Sequence, residues 1–255
     1  MKIFKKLFPS VLLIIILLFI WEIIVAVWKI NPHILPAPSA VFSAFVDHFD
    51  ILLPHIGQTI LETLIGLLLA IILGVSLAVM ISLSPLIRKA LYPILVTSQT
   101  IPLIALAPLL LIWFGFTLLP KVIIVMLYCF FPITVALVDG MEKINPQAIH
   151  LLRSMGATKW QIIRLARFPG SLPSFFSGLR IAATYSVTGA IVGEYVGAYQ
   201  GLGIYMQTAA HSYAIALVFA IIVITSVLSL LLFGLVSVLE NIFVPWQKKE
   251  KESLF

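Results

Sequence analysis

The sequence predicts an all-α membrane protein with about six transmembrane helices, and three observations support this fold class. Of the 255 residues, 62% are hydrophobic and only 10% are charged, whereas a soluble domain carries roughly 25% charged residues. Several uncharged apolar runs approach the ~20 residues that cross a hydrocarbon core about 30 Å thick. The basic residues are also distributed very unevenly among the segments that connect these runs. We therefore expect a single transmembrane domain over residues 1–255, in the cell membrane as a multi-pass protein.

Six spans follow from these runs, at about residues 9–28, 59–83, 91–116, 120–138, 173–198 and 214–240. The first run continues past Glu22 without a small-residue cleavage site, so we expect an uncleaved span rather than a signal peptide. Glu62 is expected in the first turn of the second span, where the helix dipole stabilises a carboxylate. The fifth span is the least obvious, because Arg180 and Glu194 interrupt it. A short amphipathic helix from Ser39 is expected between spans one and two.

The orientation in the membrane follows from the basic residues. With six spans, 14 of the 16 lysines and arginines lie in segments on one side, and only Lys29 and Lys121 lie on the other. Cytoplasmic loops are enriched in these residues, so both termini and the long loop between spans four and five are expected in the cytoplasm. These loops account for the net charge of +6. We therefore expect the protein to contact membrane lipid and not to bind nucleic acid.

The long cytoplasmic loop, at about residues 142–170, is expected to be helical. Asn145 followed by Pro146 is a typical helix start, and Gly156 is suited to end that helix in a left-handed conformation. Thr158 is expected to cap a second short helix, which ends near Pro169. Two such amphipathic helices fit either a groove on a partner protein or the lipid headgroup layer, and composition alone leaves both open.

The sequence of this loop resembles the coupling loop of ABC importer permeases. That family pattern is Glu-Ala-Ala, three residues, Gly, and about a dozen residues to a proline, and Gly156 and Pro169 match its last two positions. The run His150-Leu151-Leu152 stands where Glu-Ala-Ala is expected, so the family's glutamate is missing. In that family the loop docks into a cytoplasmic ATPase. The resemblance implies ATPase-coupling roles for Ile149, His150, Leu152, Arg153, Met155, Gly156, Trp160 and Pro169.

The resemblance extends over most of the chain. The stretches PLIALAPLLLIWFG, FFPITVALVDG and GEYVGAYQGLG resemble parts of the nitrate, sulfonate, taurine and thiamine-precursor permeases. Within that group, SQTIPLIALAP, LLRSMGA and SGLRIAATYS are most similar to permeases for hydroxymethylpyrimidine-type thiamine precursors. The resemblance implies two permease copies around a central path, with cytoplasmic ATP-binding subunits and an extracytoplasmic solute-binding protein. It implies import of a pyrimidine thiamine precursor, with aliphatic sulfonate, taurine or nitrate as alternatives.

The chain itself is not expected to be an enzyme. Its sequence contains no GxxxxGK[S/T] loop, the backbone cradle that binds nucleotide phosphates. We therefore expect ATP and Mg on a partner ATPase, and no cofactor, catalytic residue or metal site on this chain. An ion-coupled secondary transporter is the alternative class, and it would use intramembrane carboxylates such as Glu22, Glu62 and Glu194 for coupling.

The translocation path is expected in the third and fifth spans. Three prolines in span three free backbone carbonyl groups, which are tolerated at membrane depth when they face protein or water. Glu194 is interpreted either as a gate or ligand contact or as a charge at the membrane interface. Small residues at every fourth position of spans two and five indicate close helix packing, against a partner that the sequence leaves open. The predicted path residues are Ser98, Gln99, Thr100, Pro102, Thr184, Tyr185, Thr188 and Glu194.

Overall fold

The computed structural model describes residues 2–246, with side chains from Phe8 onward. Within this range the chain forms eleven α-helices and one π-helical turn, and no β-strand. The C-terminal basic residues used for the orientation prediction, Lys248, Lys249 and Lys251, lie outside the described range. In chain order the elements are α1 (Lys2–Val27), α2 (Pro38–Asp47), α3 (Phe49–Leu83), α4 (Pro85–Ser98), α5 (Leu103–Phe114), α6 (Leu119–Glu142), α7 (Pro146–Ser154), α8 (Lys159–Ile162), the π-helical turn (Ile163–Arg167), α9 (Phe168–Gly197), α10 (Leu202–His211) and α11 (Ile215–Phe243).

Five helical segments are long and apolar enough to cross a membrane. They are Phe8–Val27 in α1, the whole of α3, the whole of α6, the continuous segment Lys159–Gly197, and α11. The pair of α4 and α5 supplies a sixth crossing if the two helices are taken together, although they are bent by 96° relative to each other. The prediction of an all-α, multi-pass membrane protein is confirmed.

The third predicted span is not continuous. We expected one helix over about residues 91–116, whereas α4 ends at Ser98 and α5 begins at Leu103. Pro102 explains the break, because it has no N–H to donate to the Ser98 carbonyl and disfavours helical backbone in the residue before it. The chain therefore turns sharply at residues 99–102, inside a segment that is otherwise apolar.

Helix α6 lies at the centre of the bundle, between α3 and α9. Small residues permit both contacts: a Cβ added to Gly74 of α3 would lie 3.0 Å from Ile133, and one added to Gly193 of α9 would lie 3.0 Å from Lys121. Close backbone approach of this kind gives the van der Waals contacts that hold helices together in lipid. Most of both small-residue stripes therefore packs against α6 of the same chain, and Gly197 at the end of the second stripe instead faces Leu111 of α5 and Phe116.

Two helix boundaries differ from our expectations. Helix α3 begins at Phe49, so Glu62 lies more than three turns inside it and the helix dipole does not explain its charge. The second loop helix does not end near Pro169, because α8 continues through the π-helical turn into α9. In that turn the Phe168 amide donates to the Ile163 carbonyl. This wider spacing accommodates the missing donor of Pro169 without ending the helix.

The structure confirms the short helix between the first two spans, α2, and it explains Glu22. The Glu22 carboxylate accepts hydrogen bonds from the Ser39 amide at 3.0 Å and from the Ser39 hydroxyl at 2.7 Å. Ser39 lies in the first turn of α2, where amide groups have no partner within the helix and the dipole favours an anion. Glu22 therefore ties α1 to the start of α2.

Candidate functional site

A cleft of about 490 Å³ opens beside the break between α4 and α5. Three elements form it: the break itself, the middle of α6, and one face of α9. None of its lining side chains carries a charge, so the cleft offers aromatic faces and neutral hydrogen-bonding groups. The lining residues are Gln99, Ile101, Leu103, Tyr128, Phe131, Pro132, Ile181 and Tyr185.

The break supplies hydrogen-bonding groups within an otherwise apolar segment of the chain. Pro102 cannot pair with the Ser98 carbonyl, and within the described residues no backbone N–H donates to the carbonyls of Gln99 or Thr100. The side chain of Gln99 is exposed. The hydroxyls of Ser98 and Thr100 instead donate back to carbonyls at the end of α4, at 2.7 and 2.8 Å. Free carbonyls of this kind are stable inside a membrane when they line a cavity or face protein.

One face of α9 continues the cleft along the bundle. Thr184, Tyr185 and Thr188 are exposed, and with Ile181 they follow the three- and four-residue spacing of one helix face. Exposed positions of α11 are more apolar, for example Leu230, which is 68% exposed. The break and this face are neighbours, since both contribute to the lining of the cleft. Seven of the predicted path residues lie on them: Ser98, Gln99, Thr100, Pro102, Thr184, Tyr185 and Thr188.

Glu194 is placed differently from both of our interpretations. It is fully buried, and its carboxylate accepts hydrogen bonds from the Thr59 hydroxyl at 2.6 Å and from the Gly203 amide at 2.5 Å. Thr59 also accepts a hydrogen bond from the Leu202 amide at 2.9 Å. Two amide groups at the start of α10 are thus satisfied by side chains of α3 and α9, and the helix dipole favours the carboxylate there. Glu194 therefore fixes α10 and does not line the cleft.

A buried ion pair lies next to this contact, and our sequence interpretation did not find it. Lys121 Nζ lies 3.3 Å from Glu62 Oε1, and Gln58 donates to the same oxygen at 2.8 Å. Lys121 is 5% exposed and Glu62 is fully buried. We expected Lys121 on the outer side, at the start of the fourth span at residue 120, and α6 begins at Leu119. Opposite charges at neighbouring ends of two predicted spans were the one available signal.

The loop between α6 and α9 has the predicted local structure. The Asn145 side chain accepts from the Gln147 amide at 2.9 Å and caps α7. Gly156 has a φ of +81°, the left-handed conformation that favours glycine. Thr158 and Gln161 form a reciprocal capping box at the start of α8. The caps of both helices and the glycine turn between them are therefore confirmed, although the second helix continues into α9.

The exposed apolar side chains of this loop differ in part from the predicted coupling residues. Met155 is 75% exposed and Trp160 is 56% exposed, as a docking surface requires, but Ile149 is only 7% exposed. Leu151, which the sequence interpretation omitted, is 63% exposed. The expected spacing of 149, 152 and 155 followed every third residue, whereas the exposed face pairs Leu151 with Met155 four residues later. Of the remaining predicted coupling residues, His150, Arg153 and Gly156 are exposed, and Leu152 and Pro169 are half-buried.

Among the residues whose structure is described, no group of three or more His, Cys, Asp or Glu side chains could hold a metal ion. Cys129 is buried in α6, and its thiol donates to the Ala182 carbonyl at 3.2 Å. Packing between α6 and α9 accounts for this residue.

Comparison with known proteins identifies the family. Residues 66–242 match the family described as the inner membrane component of binding-protein-dependent transport systems. The formylaminopyrimidine transport permease protein ThiX of Halalkalibacterium halodurans is 40% identical over 240 residues, which cover 94% of this chain and 96% of that protein. A probable ABC transporter permease protein of Haemophilus influenzae is 37% identical, over 89% of this chain and 93% of that protein.

A solved structure has the same fold. A chain in an inward-facing structure of the MetNI methionine ABC transporter superimposes with a TM-score of 0.69 at 18% sequence identity. The match covers 78% of this chain and 98% of that chain, and at this identity it concerns the fold alone. The family match and the extended similarity to ABC permeases together establish the family of this chain. This chain belongs to the inner membrane permease components of binding-protein-dependent ABC transport systems.

Proposed function

We propose that this permease imports a pyrimidine precursor of thiamine. The observation that carries the proposal is the 40% identity, over 94% of the chain, to a permease named for formylaminopyrimidine transport. The similarity runs through the segments that form the cleft, since it covers nearly the whole chain. A shared solute class is the simplest reason for such extended similarity.

The chemistry of the cleft supports an uncharged solute. A sulfonate, taurine or nitrate carries a negative charge that needs a cation or several donors once it leaves water. The cleft has no charged lining residue. The nearby basic side chains are engaged elsewhere: Arg180 lies 3.4 Å from Glu240, and Lys121 lies 3.3 Å from Glu62. These anions are therefore weaker candidates than a neutral pyrimidine.

The proposal includes the partners that such a permease needs. Leu151, Met155 and Trp160 expose apolar surface on a capped helix pair, which suits docking in a groove of a cytoplasmic ATPase. The exposed polar face of α9 suits a position at the centre of a homodimer, where it would face a second copy and the solute. We place both termini and the loop in the cytoplasm, because Lys143, Arg153 and neighbouring basic residues lie on that side.

The secondary-transporter alternative lacks a suitable coupling group. Such carriers use intramembrane carboxylates that gain and lose an ion during transport. Glu22 caps α2, Glu62 is paired with Lys121, and Glu194 caps α10. Each carboxylate thus has a structural partner within the chain.

Uptake in cells tests the proposal. The permease is expressed with its cognate ATPase and solute-binding protein, in a strain that cannot synthesise the pyrimidine half of thiamine. We expect growth on hydroxymethylpyrimidine or formylaminopyrimidine and energy-dependent uptake of the labelled compound, without competition by taurine. The control strain expresses the ATPase and the binding protein alone. Uptake of taurine or an aliphatic sulfonate with no uptake of either pyrimidine would show that the proposed solute is wrong.

A further inference from the structure

We propose that the cleft beside the break between α4 and α5 binds the solute directly, and selects a planar, uncharged nitrogen heterocycle with an amino group beside a ring nitrogen. This inference rests on the proposed function and adds a site and a recognition rule to it. Four features of the cleft support it: aromatic walls, a free carboxamide, free backbone carbonyls, and the absence of charge.

The walls of the cleft suit a flat ring. Tyr128 and Phe131 come from α6, and Tyr185 comes from α9. Aromatic side chains bind planar heterocycles by stacking, and they do so with little regard to the ring's substituents. A volume of about 490 Å³ lies in the range of small-molecule sites, roughly 300–1,000 Å³. The aromatic walls therefore provide affinity for a planar ring but do not distinguish between rings with different substituents.

Gln99 provides the edge recognition. Gln99 lines the cleft and is exposed, and within the described part of the chain its side chain makes no hydrogen bond to another residue. A carboxamide presents one donor and one acceptor side by side. This pair matches a ring nitrogen and the adjacent amino group, as in the pairing of glutamine or asparagine with adenine. An aminopyrimidine has that edge, whereas taurine, sulfonates and nitrate do not.

Backbone carbonyls add acceptors that favour an amino group. The Ser98 carbonyl is freed by Pro102 at the break, and the Tyr128 carbonyl is freed by Pro132 inside α6. Tyr128 and Pro132 both line the cleft, and a helical carbonyl is directed toward the residue four positions later. The free Tyr128 carbonyl therefore lies on the face of α6 that borders the cleft. Gln99 and Tyr128 both line the cleft, and neither has a carbonyl paired with the backbone N–H four positions later, so the acceptors come from residues of the lining itself.

The test is direct binding to the purified permease–ATPase complex in detergent, without the solute-binding protein, so that only a site on the complex is measured. Calorimetric titrations compare hydroxymethylpyrimidine with an analogue in which hydrogen replaces the amino group. We expect the wild-type complex to bind the amino compound roughly tenfold more tightly, the order expected for a bidentate pair. Gln99→Leu should remove most of this preference and leave only what the backbone carbonyls contribute. Gln99→Glu keeps an acceptor for the amino group but places a carboxylate against the lone pair of the ring nitrogen, so it should weaken binding of both compounds.

The variant Tyr185→Leu distinguishes the contribution of aromatic stacking from that of the hydrogen bonds made by Gln99. It should weaken binding of both compounds by a similar factor and leave the preference unchanged, because stacking does not depend on the amino group. Ile112→Ala is the control, since Ile112 is 77% exposed on α5 and lies outside the cleft. It should behave like the wild type. ATPase activity of each complex shows that the variants are assembled.

The outcomes separate this inference from the proposed function. If Gln99→Leu keeps the wild-type preference, or if Gln99→Glu binds both compounds as tightly as the wild type, the recognition rule is wrong. If cells import the pyrimidine but the purified complex binds neither compound, the site is wrong and the proposed function stands. If the complex binds the amino compound selectively through Gln99 but cells import no pyrimidine, the site stands and the proposed solute is wrong.

Discussion

At the scale of single residues, the charged groups inside the bundle hold helices together rather than line the cleft. The ion pair of Glu62 and Lys121 joins α3 to α6, and Gln58 donates a further hydrogen bond to the same carboxylate oxygen at 2.8 Å. Glu194 and Thr59 join α9 and α3 to α10. Removing one member of a buried pair leaves an uncompensated charge, which costs far more than the pair contributes. These residues are therefore sensitive positions for stability.

Lys121→Met is expected to destabilise the permease by about 3–5 kcal/mol, because it leaves the Glu62 carboxylate buried without its cation. Thermal unfolding of the detergent-solubilised complex measures the effect. Lys89→Met is the matched control, since Lys89 is exposed at the start of α4 and surface changes usually stay within about 0.5 kcal/mol. The double variant Glu62→Gln with Lys121→Met should recover most of the loss. Equal unfolding temperatures for Lys121→Met and Lys89→Met would show that the pair does not stabilise the fold.

At the scale of elements, the loop between α6 and α9 is mechanically continuous with a transmembrane helix. Helix α8 passes through the π-helical turn into α9 without an intervening break. The face of α9 that carries Thr184 and Tyr185 borders the cleft. A rotation of the loop helices can therefore reach the cleft through a single helix. π-Helical turns are frequent at functional sites, which agrees with a role of this turn in the proposed coupling.

Gly156→Val tests the geometry of the loop. With φ at +81°, a β-branched residue is strained there, by at least the roughly 1–2 kcal/mol that a left-handed conformation costs an ordinary residue. We expect the angle between α7 and α8 to change, and solute uptake to be lost while the permease still inserts in the membrane. Gly57→Val is the matched control, because an added Cβ meets nothing within 4 Å at either glycine and only Gly156 has a positive φ. Normal uptake by Gly156→Val would contradict a docking role for this turn.

Features of the fold that depend on neighbouring residues could be predicted from the sequence, whereas features that depend on residues distant in sequence could not. Local signals such as the Asn145 cap and the positive φ of Gly156 depend on neighbouring residues alone, and both were predicted correctly. The break at Pro102 was expected only as a loosened helix, because a proline kinks or breaks a helix according to what packs around it. The roles of Glu22, Glu62 and Glu194 depend on partners that are distant in sequence. Hydropathy and spacing do not carry that information.

At the scale of the whole molecule, the exposed surface of the bundle divides into two kinds. Helix α11 exposes mainly aliphatic side chains such as Leu230 and Leu231, which suit contact with lipid tails. The exposed face of α9 carries Thr184, Tyr185 and Thr188. Polar side chains on a transmembrane helix usually face protein or a water-filled cavity. The two faces therefore predict two environments, lipid at α11 and an aqueous route at α9.

Cysteine accessibility tests this division. The background is Cys129→Ala, because the native thiol is buried and would otherwise complicate the labelling. We expect Thr184→Cys and Thr188→Cys to react with small polar thiol reagents in membranes, whereas Leu230→Cys should not. A thiol reacts as its thiolate, and hydrocarbon suppresses that ionisation although Leu230 is 68% exposed on the isolated chain. A side chain that is exposed on the isolated chain can thus still be covered by lipid, and the thiol reagent detects only those cysteines that contact water.

The nucleotide state of the proposed ATPase partner adds a second readout to the same variants. An importer exposes its route alternately to the two sides of the membrane, so reactivity at positions 184 and 188 should change when ATP is trapped on the motor. Reactivity at position 230 should stay low in every state, since lipid contacts α11 throughout. Ile124 of α6 is unsuitable as a second lipid control, because it is 1% exposed and packed inside the bundle. Unreactive cysteines at both 184 and 188 in all nucleotide states would place the α9 face against protein or lipid and remove it from the route.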